Sequence, residues 1–290
     1  KCIFAKHWLL KKPSLLVSGN ISKSYRASFA HVKKVLPGIF PISDEIELDP
    51  VSLQFVNQQF DLIDLENCRA DIFSELYEAF AEAGIKANEG QFFTPNVAVE
   101  LLVRLVNPKP KQRICDPACG AGGFLIGAAK HLVQGGADSA DVAASLKGVD
   151  KDEYLSRIAR GRLALYLDKM PEVTCGDSLA EISQDGGPLV LPLFDIVLTN
   201  PPFGARINAA SSETLLRFDL ARKWLLDRNS TRTEAKNDFF VSTEAMNPST
   251  PPQILFVERC LKLLKPGGVL GAILPESIVS SKSHSYVVHY

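Results

Sequence analysis

Arg113-Ile114-Cys115-Asp116-Pro117-Ala118-Cys119-Gly120-Ala121-Gly122-Gly123-Phe124-Leu125-Ile126-Gly127-Ala128-Ala129-Lys130-His131-Leu132-Val133 passes from a short apolar stretch through a glycine-rich turn into a helical repeat. A strand over Arg113–Asp116 followed by a helix over Gly122–Val133 is the opening half of a βαβ unit. Downstream, further strands are predicted at Leu146–Asp150, Val173–Asp177, Phe194–Asn200 and Val269–Leu274. Helices fill the gaps at Glu153–Leu167 and Gln253–Leu264, the last stopped by Lys265-Pro266-Gly267-Gly268. Short apolar strands alternating with helices predict an α/β fold on a mainly parallel sheet.

Upstream the pattern is helical only. Asp49-Pro50 reads as an N-cap followed by proline at the first helical position, opening a helix to about Ile63. A second helix is expected from about Glu66 to Ala83, where Ile72, Leu76 and Phe80 recur every four residues and Gly84 supplies the stop. Thr94-Pro95 repeats the cap-plus-proline signal and starts a third helix through Leu101, Leu102 and Leu105. The expected organisation is therefore a helical region over 45–108 and a larger domain over 109–290, with the basic segment 1–44 unassigned. Gly204 to Thr250 is long, polar and weakly patterned, with one candidate helix around Leu216, Leu220 and Trp224; loops of this length are usually functional.

The bulk composition narrows the class. The 290 residues are 46% hydrophobic and 22% charged, ordinary for a globular protein with a sizeable core. No apolar run is long enough to span a bilayer, and Lys1–Lys12 lacks the cleavage site of an export signal, so a cytoplasmic location is expected. Six cysteines without Cys-x-x-Cys pairing or histidines at ligand spacing read as free thiols and predict no metal site. The first 43 residues hold eight Lys or Arg and no acid, leaving 24 basic against 33 acidic residues, a net of −9, in the remainder. A protein that grips duplex DNA alone usually presents a basic surface, so a DNA substrate would need a partner's help. Starting at Lys rather than Met, the chain reads as a fragment, and its basic start as a solvated remnant of a preceding domain.

The glycine turn limits what can bind. It lacks the third glycine of a dinucleotide fingerprint, where Leu125 stands, and the Gly-Lys-Ser/Thr ending of a P-loop. Asp116 at its head disfavours a phosphate and favours a ligand carrying an ammonium group, such as S-adenosyl-L-methionine. Asp150, ending the second strand, suits both hydroxyls of a ribose; the run Asp150-Lys151-Asp152-Glu153 also reads as a capping box for the next helix. Asp177, ending the third strand, suits an adenine donor or equally a turn.

Asn200-Pro201-Pro202-Phe203, directly after the strand Phe194-Asp195-Ile196-Val197-Leu198-Thr199, is the most specific signal. Two prolines freeze the backbone and donate nothing, so the Asn200 side-chain oxygen and a proline carbonyl can both accept from one NH₂ group. Such acceptors draw the nitrogen toward tetrahedral geometry and free its lone pair. Phe203 offers a stacking face worth roughly 1–3 kcal/mol per base, against the few kcal/mol that extruding a base costs. A proline turn alone explains neither the asparagine nor the aromatic.

With these residues in hand, the chain closely resembles amino-methyltransferases, specifically the modification (methylation) subunit of type I restriction-modification systems. The matching pieces occur in that family's order: Gly90-Gln91-Phe92-Phe93-Thr94-Pro95, Asp116 to Leu125, Asp150, Asn200 to Phe203, Phe256-Val257-Glu258-Arg259-Cys260-Leu261, and Pro266-Gly267-Gly268 through Leu274-Pro275-Glu276. The resemblance covers about residues 50–280. It implies a Rossmann-like class I methyltransferase domain that takes a methyl group from S-adenosyl-L-methionine to adenine N6 in double-stranded DNA. Gln91, Phe92, Phe93, Thr94 and Pro95 would hold the cofactor together with Asp116, Gly120, Ala121, Gly122, Gly123, Asp150 and Asp177, Thr94 and Pro95 lying near its methionine end. Asn200, Pro201, Pro202 and Phe203 would bind the flipped adenine and carry catalysis by direct in-line transfer, without a covalent enzyme intermediate. A DNA-specificity subunit and a nuclease-translocase subunit are the implied partners. The strands and helices that the family carries after the Leu-Pro-Glu motif would be missing from a chain that stops at Tyr290.

Two rivals remain open on sequence. An Asn-Pro-Pro-aromatic loop also suits a protein glutamine amide or an RNA base, though such enzymes tend to carry tyrosine where Phe203 stands and lack the early Phe-Thr-Pro motif. A non-catalytic cofactor-binding subunit is the other.

Overall fold

The computed structural model of the chain describes residues 1–62, 94–203, 210–226 and 240–290. Six strands form one sheet: β1 (Ile114–Asp116), β2 (Leu146–Asp150), β3 (Glu172–Asp177), β4 (Ile182–Ser183), β5 (Phe194–Thr199) and β8 (Leu264–Ala272). Their order is β4-β3-β2-β1-β5-β8, parallel throughout except for the β3/β4 pair. The α/β expectation holds, and the reason is visible in burial: β1 is buried at all three positions and β5 at every position but Asp195. A strand covered on both faces reads as a continuous apolar run rather than an alternation.

Helix Gly123–Gln134 follows β1, and helix Glu153–Leu167 follows β2. Leu125, Ala128, Ala129 and Leu132 of the first pack with Ala159, Leu163 and Leu167 of the second, and with Val99 and Val103 of helix Asn96–Val106. Each fully buried Leu contributes roughly 1.5–3 kcal/mol relative to exposure, so this cluster fixes the turn that precedes the first helix.

The first 44 residues, given no element by sequence, fold as helices Cys2–Lys11 and Ile21–Val35, the latter capped by Asn20 accepting from Lys23 N. They join helix Pro50–Asp61 in a second core of Phe4, Leu9, Tyr25, Phe29, Val32 and Leu53, which also takes in Ala164. Asp49 caps the third of these helices as expected, accepting from the Val51 and Ser52 N–H groups at 2.9 and 3.0 Å. Basic side chains here are partly engaged: Lys1, Lys6 and Lys11 pair with Asp44, Asp61 and Asp168.

Several boundaries differ from expectation. β8 begins at Leu264 and ends at Ala272, because a register shift against β5 absorbs Pro266 and Gly267 into the strand instead of leaving them as a helix stop. The helix before it is Pro252–Lys262. The candidate helix around Trp224 is instead a short helix Ser212–Leu215 and a strand β6 (Arg222–Leu226) paired antiparallel with β7 (Phe240–Met246). Trp224 leaves the helical pattern to stack on Tyr286, ring centroids 5.8 Å apart at 15°. The helix expected over Glu66–Ala83 lies outside the described residues. Among the described residues no helix is long and apolar enough to cross a membrane.

Candidate active site

The strand order reverses direction between β1 and β5: β2 and β3 extend the sheet on one side of β1, β5 and β8 on the other. In open α/β sheets ligands lie beyond the carboxyl ends of the strands at such a switch point. The chain leaves β1 as Asp116–Gly122 and leaves β5 as Asn200–Phe203, so the two most specific motifs follow adjacent parallel strands at the same edge of the sheet. Asp150 and Asp177 end the neighbouring strands on the same edge.

The glycine turn is held from below. Cys119 N–H donates to Val149 O at 2.9 Å, Gly122 N–H to Cys119 O at 2.8 Å, and Gly120 N–H to Asp150 Oδ2 at 2.7 Å. Gly122 has φ +82°, and a Cβ there would stand 3.0 Å from Ala159 Cβ. Gly120 has φ +51°, yet a Cβ on it would meet no described residue within 4 Å. The turn is thus packed on the Gly122 side and open on the Gly120 side. Helix Gly123–Gln134 starts here, and the N–H groups of a first turn have no intrahelical partner.

Two carboxylates lie beneath. Asp116 is only 1% exposed, and its Oδ1 accepts from Ala118 N–H at 3.1 Å. Burial pushes its pKa up to about 7; the nearby Thr199 hydroxyl and the Ala118 N–H offset part of the rise, and the charge of Asp150 adds to it. Thr199 Oγ1 stands near Asp116 without meeting hydrogen-bond geometry to any described residue. Asp150 is raised by burial too, against the Asp152 and Gly120 N–H groups that hold it. The helix cap that competed for Asp150 is supplied by Asp152, which accepts from Leu155 N–H at 3.0 Å. Asp150 is therefore tied to the glycine turn, not consumed by the helix.

Asp177 contains the turn that its sequence context allowed. Its Oδ1 accepts from Leu179 and Ala180 N–H, and its Oδ2 from Lys151 Nζ at 3.0 Å. Burial raises its pKa, but the Ala180 N–H and the Lys151 ammonium more than offset it, leaving the carboxyl below its ordinary range.

Beyond β5, Pro201 is buried, Pro202 exposed and Phe203 half-buried. Asn200 Nδ2 donates to Thr94 Oγ1 at 2.9 Å, joining motifs 106 residues apart. Asn200 Oδ1 is buried and receives no hydrogen bond from any described residue. Thr94 is not the helix cap that the Thr-Pro signal suggested: Pro95 occupies that position and helix Asn96–Val106 begins after it. The hydroxyl faces Asn200 instead. Pro95 is exposed, and Gln91, Phe92 and Phe93 lie outside the described residues.

Sequence reasoning missed the braces. Arg162, 2% exposed on helix Glu153–Leu167, donates from Nη1 to Ala121 O at 2.6 Å and clamps the glycine turn from behind. Glu258, fully buried, accepts from Asp219 N–H at 3.0 Å and Leu220 N–H at 2.7 Å, fixing the entry to β6. A charged residue at an apolar helical position was the signal for Arg162, while Glu258 lay within the Phe256–Leu261 motif with no role attached.

A doubly wound sheet with a glycine turn at its switch point and the Asn200–Phe203 loop on the adjacent strand is a class I methyltransferase-like fold. Two solved structures share it. One, assigned to class I S-adenosylmethionine-dependent methyltransferases of Listeria monocytogenes, superposes with TM-score 0.56 at 20% identity over 99% of this chain and 78% of that one. The other, a type I restriction-modification methyltransferase subunit of Streptococcus thermophilus, gives 0.53 at 18% over 82% and 46%. At these identities the likeness shows the fold. The chain belongs to the N-6 DNA methylase family, whose sequence model matches residues 68–287. It is 25% identical over 280 residues to the StySPI type I restriction enzyme methylase subunit of Salmonella potsdam, covering 88% of this chain but 46% of that subunit. The chain thus spans about half the length of such relatives.

Proposed function

We propose that the protein is the modification subunit of a type I restriction-modification system and transfers a methyl group from S-adenosyl-L-methionine to adenine N6 in double-stranded DNA. The observation that carries this reading is the buried Asn200 Oδ1, which accepts from no described residue, at the end of the strand that pairs with the one leading into the glycine turn. A buried acceptor left without a donor costs roughly 1–3 kcal/mol, and a substrate NH₂ group recovers it. The open side of Gly120, the helix N-terminus and Asp150 suit a nucleoside bearing an amino-acid chain, so the residues fit the cofactor. Gly120, Ala121, Gly122, Gly123 and Asp150 would hold its nucleoside, with Gln91–Pro95 and Asp116 toward its methionine end. Asp177, already pinned by Lys151, would reach the adenine edge through its remaining lone pairs.

Bound there, S-adenosyl-L-methionine supplies a methyl group on a sulfonium, open to direct displacement. Asn200 Oδ1 and the Pro201 carbonyl accept from the two protons of the acceptor nitrogen and stabilise its developing positive charge. Phe203 stacks on the extruded base, and the nitrogen gives up one proton to solvent once it is methylated.

Asp116 yields a pH prediction. Its carboxyl is raised by burial to about 7, so at pH 6 only about a tenth is ionised and at pH 7.5 about three quarters. An ammonium group of the ligand pairs only with the ionised form. Cofactor affinity should strengthen roughly eightfold from pH 6 to 7.5, with proton release on binding that calorimetry in buffers of different ionisation enthalpy will detect. A flat profile places Asp116 outside the cofactor site.

The acidic body would leave the grip on DNA to a partner that reads sequence, and a nuclease-translocase subunit would complete the assembly; relatives named as methylase subunits of type I restriction enzymes support a multi-subunit complex. Radiolabelled cofactor supplied with the partner subunits and with duplex DNA, RNA and protein tests the substrate. Label in DNA supports the proposal. Label in RNA or in glutamine of protein moves the substrate, and cofactor binding without transfer returns a non-catalytic subunit.

A further inference from the structure

The Thr94–Asn200 contact has a role that capping does not use. An amide has two ends of nearly the same shape, and only their partners decide which end faces a substrate. Here Nδ2 is engaged by Thr94 Oγ1 at 2.9 Å while Oδ1 stays buried and accepts from no described residue. The reverse orientation would bury Nδ2 without an acceptor, and a buried N–H without a partner is tolerated less well than an under-satisfied carbonyl. It would also turn an NH₂ group toward the substrate's own NH₂ group.

We propose that Thr94 is a positioning residue: its hydroxyl holds Asn200 by the amide nitrogen, so that the carbonyl oxygen is the end presented to the acceptor amine. The inference rests on the reading of Asn200 given above. It adds that a residue just before helix Asn96–Val106 sets the orientation of a group at the end of β5. The hydroxyl is available for this because Pro95 takes the cap position without a side-chain bond. A hydroxyl oxygen keeps two lone pairs, so it accepts from Nδ2 whichever way its own proton turns. Thr94 therefore contributes through Asn200 even where it also lies near the cofactor.

The test is a double-mutant cycle on the full-length protein with its partner subunits and duplex DNA. Thr94→Val, Thr94→Ser, Asn200→Ala and the Thr94→Val/Asn200→Ala double variant are compared by single-turnover methyl transfer at saturating cofactor, cofactor Kd by calorimetry, and thermal melting. Thr94→Val should lower the single-turnover rate roughly 10–100-fold even at saturating cofactor, whatever its effect on cofactor Kd, with melting unchanged. Thr94→Ser, which restores the hydroxyl, should recover the rate to within about threefold. In the Asn200→Ala background the valine should add less than about twofold, because the residue it acts through is gone. Additive losses overturn the proposal, as does a Thr94→Val variant that weakens cofactor binding but keeps its saturated rate. Asn200→Ala at full rate would instead overturn the reading of Asn200 itself, so the two failures are distinct.

Discussion

Asn200→Ala should lower the methyl-transfer rate about 10²–10³-fold while the variant folds and binds cofactor almost normally. The magnitude follows from removing one preorganised acceptor aimed at charge that develops on the nitrogen. The fold should survive because Asn200 is not part of a hydrophobic core; among the described residues its side chain makes one hydrogen bond, to Thr94, and losing that costs only about 1 kcal/mol. Asn200→Asp keeps an acceptor oxygen in place and should lose distinctly less than the alanine variant. Single-turnover kinetics at saturating cofactor, with a melting curve for each variant, check both. A rate within twofold of wild type for Asn200→Ala would remove the acceptor loop from the chemistry.

The two left-handed glycines of the turn should separate folding from binding. At Gly122 an alanine Cβ must enter at φ +82° and stand 3.0 Å from Ala159 Cβ and 3.2 Å from Ala159 Cα, atoms belonging to a buried helix that cannot retreat. The backbone cost of about 1–2 kcal/mol adds to an overpacking cost of about 1–3 kcal/mol, enough to unfold a marginal domain at ordinary temperature. At Gly120 the backbone cost is similar, but the Cβ meets no described residue within 4 Å and projects into the open side of the turn. Gly120→Ala should therefore melt only slightly early and yet lose cofactor affinity by tenfold or more, since a methyl group would stand where the ligand approaches. Denaturant unfolding and calorimetric titration of both variants check the split. Equal losses of stability with cofactor affinity intact at Gly120 would show that the ligand lies elsewhere.

The parallel sheet was legible because strands buried on both faces are continuous apolar runs: Leu146–Asp150 was placed to the residue, and β1, β3 and β5 within one. The site was legible where residue types are chemically unusual, as in Asp116–Gly123 and Asn200–Phe203. Other parts depended on contacts that no local pattern encodes. β6 and β7 hold no buried position on either face, so no apolar period of two appears in the hydropathy. The first helix is apolar nearly all round and shows no polar face, whereas Ile21, Tyr25, Phe29 and Val32 of the second stand at helical spacing, a signal that was there to read; the burial of both depends on meeting Leu53 and Ala164 far along the chain. Thr94 carried a familiar capping signal that the fold does not use, because a side chain 106 residues away competes for its hydroxyl. Arg162 is the same kind of case: a buried guanidinium explicable only by the Ala121 carbonyl above it.

The central claim is that two acceptors at the end of β5 grip an exocyclic amino group beside the cofactor turn. Identifying the methylated atom tests it most directly. Duplex DNA methylated by the complete assembly is digested to nucleosides, and the position of the new methyl group is determined by mass spectrometry against synthetic standards. The account predicts N6-methyladenine, with the product lost in Asn200→Ala. A methyl group on a ring carbon, such as C5 of cytosine, would contradict it, because Asn200 and the prolines have nothing to offer such an acceptor.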